Sequence, residues 1–157
     1  MDKCPICNFP ETDDLQAILE RIDTPDLLVT LACDFAERVC EKTSNPAQSH
    51  TWLKAARDWR IDRVAANEAE RAAWAAAANA SVKKLAANAV WYATLAATSI
   101  QSPKADHATI AASKAMGALG SHEREWQLDH TRELACACIA LATGPEGARS
   151  RNSLLAS

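Results

Sequence analysis

The chain has 157 residues, 48% of them apolar and 24% charged, with a formal net charge of −3 and an isoelectric point near 5.8. That length suits one domain with a continuous core. The acidic balance argues against a dedicated nucleic-acid binder, whose affinity comes from clustered Lys and Arg. No apolar signal segment opens the sequence, so a cytoplasmic protein is expected. The nearest candidate for a membrane span, Leu85 to Ile100, is alanine-rich, contains Asn88 and Thr94, and falls short of about 20 strongly apolar residues.

In chain order, residues 1–11 read as a cysteine-containing loop, after which Thr12, Asp13 and Asp14 suit a helix cap and first turn. A short helix to Ile22 follows. Thr24-Pro25-Asp26 opens a second helix through about Glu41, with Leu28, Leu31, Phe35 and Val39 inward. Residues 43–49 form a loop, and Ser49 is the expected cap of a third helix whose buried stripe is Trp52, Ala56 and Trp59.

From Ala65 alanine dominates. The turn residues Asn79-Ala80-Ser81 divide this region into helices of about 66–79 and 82–99. Alanine buries little area, so Trp74, Leu85, Val90, Trp91, Tyr92 and Leu95 are expected to supply most of the contact, with Asn67, Asn79 and Asn88 fixing register. The five tryptophans read as core anchors. Pro103 starts a helix ending at Leu119 before Gly120, and a last helix runs from Ser121 to Leu141, stopped by Gly144-Pro145. The expected fold is an all-α single bundle of about seven helices over residues 1–145, with the 85–98 helix central and 146–157 a mobile tail.

Cys4-Pro5-Ile6-Cys7 is half of a zinc site. Cys33, Cys40, Cys136 and Cys138 are candidate further ligands, and a redox dithiol or unligated thiols are the competing readings. His122-Glu123 begins the zinc-protease pattern, but Trp126 stands where its second histidine belongs. The chain's few glycines offer no phosphate loop. Lys54, Arg57, Arg60 and Arg63 form a basic flank, and Glu123, Glu125, Asp129, His130 and Glu133 make the last helix highly charged. Both are candidate partner-binding surfaces.

The segments "ACDFAERV" (32–39), "WLKAARDW" (52–59), "NEAERAAWAAAANA" (67–80), "AANAVWYATLAATS" (86–99) and "AASKAM" (111–116) resemble the alanine-rich, all-helical immunity proteins of bacterial polymorphic-toxin systems, the immunity-family-five-like group. The resemblance implies a small cytoplasmic protein that neutralises a toxin by binding it, without catalysis, and is compatible with a homo-oligomer. A phage-encoded, anti-CRISPR-like protein that binds a host nuclease or effector complex fits the same helical scaffold. A third reading is a small metal-binding helical enzyme built around His122, Glu125, Asp129, His130 and Glu133.

Overall fold

The computed structural model describes residues 14–81, 83–99 and 103–143, with side chains through residue 136. Among these residues it contains seven α-helices and no strand: α1 (Leu15–Glu20), α2 (Pro25–Glu37), α3 (Pro46–Arg57), α4 (Arg63–Asn79), α5 (Lys84–Thr98), α6 (Lys104–Leu119) and α7 (Glu123–Thr143). Helix α5 is central, packing against α2, α3, α4 and α6. None of the described helices is long and apolar enough to cross a membrane. The expectations for residues 1–13 and 144–157, including the tail, lie outside the described residues.

Short polar side chains start several helices. The Asp14 carboxylate accepts from the Gln16 N–H at α1, and Asp62 accepts from Ala65 at α4. Pro25 occupies the first position of α2 as expected, but Thr24 makes no side-chain cap bond, and the helix stops at Glu37 before a 3-10 turn over Cys40–Lys42. Helix α3 begins earlier than expected. Asn45 caps it by accepting from Gln48, with Pro46 following. Ser49 therefore lies inside the helix, where its hydroxyl meets that of Thr43 at 2.9 Å. Between α4 and α5, Lys83 takes a left-handed conformation (φ 64°). At the end of α6, Gly120 supplies the positive φ of 112° that a side chain would resist.

The core contradicts the expectation that large residues carry the helix contacts. Of the large residues expected there Val90 alone is buried, and alanines fill most of the inward positions: Ala66, Ala69, Ala73 and Ala77 on α4, Ala86, Ala89, Ala93, Ala96 and Ala97 on α5, and Ala108, Ala111, Ala112 and Ala115 on α6. Small side chains let backbones approach closely, leaving too little room at the seams for indoles. Trp52, Trp59, Trp91 and Trp126 are half-buried against the core edge, and Trp74 and Leu85 are exposed. Bulk is concentrated at the α1–α2 end, in Leu15, Ile18, Leu19, Leu28, Leu31 and Phe35, with Leu53 joining from α3. Asn67 and Asn79 are exposed and fix no buried seam.

Candidate interaction site between α2 and α7

Helix α7 docks along α2 through polar and aromatic side chains. Asp34 on α2 and Arg38, the residue just after its end, lie one turn apart and face Glu123, Trp126 and His130 on α7. The Arg38 guanidinium grips the Glu123 carboxylate at two points, Nε to Oε1 at 2.7 Å and Nη2 to Oε2 at 3.0 Å. Hydrogen bonding to Glu123 raises the Arg38 pKa above its ordinary value and keeps the group charged. Arg38 also lies 4.0 Å from the Trp126 ring centroid, the His130 ring stacks on the same indole at 4.6 Å and 12°, and Phe35 meets it edge-on from the core.

Asp34 links three helices. Its Oδ2 is 2.7 Å from His130 Nε2, and its Oδ1 is 2.7 Å from Arg57 Nη2 on α3. Arg57 reaches Glu37 as well, at 3.1 Å, and His50 sits between Glu37 and Glu41 at 3.8 and 3.3 Å. Asp34, Glu37, Arg38, Trp126 and His130 line a shallow cleft of about 300 Å³. On the outer side of α7, Glu125, Asp129 and Glu133 recur every four residues and are all exposed, forming an acidic ridge interrupted by Arg132; Glu125 and Asp129 line, with Arg124, Leu128 and Arg132, a concavity of about 450 Å³ separate from the cleft. A second concavity, of about 270 Å³, has Asn45, Gln48, Trp52 and Asn79 among its uncharged lining and contains none of the expected site residues.

The expected basic flank does not stay together. Arg57 turns into the Asp34 network, whereas Arg60 pairs with Asp26 at 2.6 Å and covers Trp59, and Lys54 remains exposed. Arg63, the first residue of α4, lies 6.0 Å from the same ring. Lys104 joins this group 4.6 Å from Trp59, while its ammonium donates to the carbonyls of Ala96, Ala97 and Ser99 at the end of α5. Burial, then repulsion from Arg63 and Arg60, lowers the Lys104 pKa.

Cys33 and Cys40 lie in the core, where burial pushes both thiols up to about 12. Cys136 is disulfide-bonded. Cys4, Cys7 and Cys138 lie outside the described side chains, and among the described residues no group of three or more His, Cys, Asp or Glu is placed to hold a metal ion.

Of the expected site residues, Arg57, Glu123 and His130 come together, but through Asp34 and Arg38, which sequence reasoning missed. The local signal is the i, i+3, i+4 spacing of Asp34, Glu37 and Arg38 at the C-terminal end of α2. No protein-family model, curated protein or solved structure matches the chain.

Proposed function

We propose that the protein is a non-catalytic inhibitor that acts by binding another protein in the cytoplasm, with a bacterial toxin as its leading partner. The observation that carries this reading is the Trp126 platform: an indole held by Arg38, His130 and Phe35, and bordered by exposed carboxylates. Tryptophan and arginine dominate binding energy at protein interfaces, and a side chain already fixed in place loses little entropy on association. The acidic ridge favours a partner with a basic surface, such as a nuclease that handles nucleic acid. The resemblance of the alanine-rich segments to immunity proteins favours a toxin. A host defence nuclease or effector subunit is the second reading, favoured by the same acidic ridge.

Affinity capture from the native host tests the proposal. A stoichiometric toxin, nuclease or effector subunit is expected. Its recovery should fall in Trp126→Ala and in the triple charge reversal of Glu125, Asp129 and Glu133 to Lys, with strong salt dependence in the native protein. Capture unchanged in both variants would displace the interface from this site. Absence of a protein partner, together with a catalytic turnover lost in Asp34→Ala or His130→Ala, would replace inhibition with an enzyme.

A further inference from the structure

Cys136, on α7, is disulfide-bonded, whereas Cys33 and Cys40 are free. Of the chain's six cysteines this leaves Cys4, Cys7 and Cys138 to hold the other end of the bond. Helix α7 continues to Thr143. Positions two apart on a helix lie about 200° apart, so their Cβ vectors diverge and no bridge closes between them. Elimination therefore points Cys136 at the Cys4-Pro5-Ile6-Cys7 pair.

Chain length and charge agree with that pairing. The described chain begins at Asp14, next to α1, which packs against α7. Asp14 acts on Arg124 near the start of α7: burial lowers the Arg124 pKa, and the Asp14 carboxylate opposes the shift. From Arg124 to Cys136 the helix rises about 18 Å at about 1.5 Å per residue. The stretch from Asp14 back to Cys7 spans up to about 23 Å at about 3.3 Å per residue, so Cys7 reaches Cys136 by running along α7 with little slack. On that path lies the concavity of about 450 Å³ in which Arg124, Leu128 and Arg132 recur every four residues. The segment brings Phe9 for Leu128, and Glu11 and Asp13 for the two arginines. Pro5 and Pro10 reduce the entropy lost on docking.

We propose that residues 4–13 form a strap laid along this groove of α7, clasped at its far end by a disulfide from the Cys4/Cys7 pair to Cys136 and released by thiol reductants. Two equivalents of a small thiol open the clasp. The first attacks one sulfur as thiolate and breaks the bond, and the second resolves the mixed disulfide, leaving two cysteine thiols and one small-molecule disulfide. Exchange within the chain needs no added reductant: the unbonded cysteine of the pair, as thiolate, attacks its bonded neighbour, forms Cys4–Cys7 and releases Cys136 as a thiolate that takes up a proton. Zinc at Cys4 and Cys7 would belong to the reduced state alone. Glu125 and Asp129 wall the same groove, so strap and partner compete there. That competition rests on the binding reading above, whereas the clasp does not.

Peptide mapping of the full chain, alkylated before unfolding and digested with trypsin without reductant, tests the clasp and needs no partner. A linked pair of peptides 4–21 and 133–149 is expected, lost in Cys136→Ser and kept in Cys138→Ser. For the groove, the thiol concentration that half-reduces the bond should fall about threefold or more in Arg124→Glu/Arg132→Glu, because a docked strap holds its sulfur at a high effective concentration. Adding Glu11→Lys and Asp13→Lys should restore it. Helical circular dichroism checks that each variant folds. A bond from Cys136 to Cys138 or to a second chain, or Cys4 and Cys7 both open to alkylation, would overturn the clasp. A half-reduction point indifferent to the charge reversals would overturn the docking along α7.

Discussion

Arg38 and Glu123, 85 residues apart in the chain, form a two-point ion pair in which the arginine stays in contact with water while the carboxylate is 2% exposed. The two partners are therefore unequal. Arg38→Ala strands a buried charge and should cost about 1–3 kcal/mol, whereas Glu123→Gln keeps a neutral acceptor in place and should cost less. Chemical denaturation of the two variants checks the order. Equal losses would mean that Glu123 reaches water when its partner is removed.

Acid should destabilise the fold through His107. Both of its ring nitrogens are buried without a hydrogen-bond partner among the described residues, and its ring lies 6.3 Å from Tyr92. Burial lowers its pKa below the ordinary histidine value, with the Asp106 carboxylate favouring the proton and Lys104 also opposing it. A base with a lowered native pKa binds its proton more readily when unfolded. Stability should therefore fall as pH drops below about 6.5 and level off below the native pKa. In His107→Phe this part of the acid sensitivity should disappear, as thermal melts from pH 8 to 5 would show. An unchanged slope would assign the sensitivity to other groups.

Thiol chemistry should separate the cysteines. With pKa values pushed up to about 12, Cys33 and Cys40 should resist alkylation in the native protein at pH 8 and react on unfolding. Protection of Cys33 or Cys40 that is lost on adding chelator would instead make that thiol a ligand of a zinc shared with Cys4 and Cys7. Metal analysis of native protein, before and after chelator, measures that zinc. Retained helicity in metal-free protein would remove a structural role for it.

The alanine seams should tolerate added volume poorly. Ala93 is wholly buried on the central helix, so Ala93→Leu should cost about 1–3 kcal/mol or more. The same change at Ala78, on the exposed side of α4, should stay within about 0.5 kcal/mol. Denaturant midpoints of the two variants give the comparison.

The helices were legible because their punctuation is local. Pro25, the break after Asn79, Pro103 and Gly120 mark boundaries through backbone sterics that depend on a few neighbouring residues. The third helix start is ambiguous in sequence because Asn45 and Ser49 are both competent caps, and Pro46 at the first helical position decides for Asn45. Inward and outward faces were harder. Hydrophobicity assigns Trp74 to the core, but only the assembled bundle shows that the seam beside it is filled by alanine. The Asp34–His130 contact spans 96 residues, and no local pattern encodes that pairing.

Alanine seams also bear on how the helices hold their positions along one another. Methyl groups present a nearly smooth surface with no rotamers to interlock, so sliding by a turn changes little in the buried contacts. Position must come from the side chains that tie neighbouring helices: Trp91 donating to Glu70 between α5 and α4, Gln127 donating to the Ala112 carbonyl between α7 and α6, and Lys104 clasping the end of α5 from α6. Each of these is a polar bond with direction, and together they act as the detents of an otherwise sliding assembly.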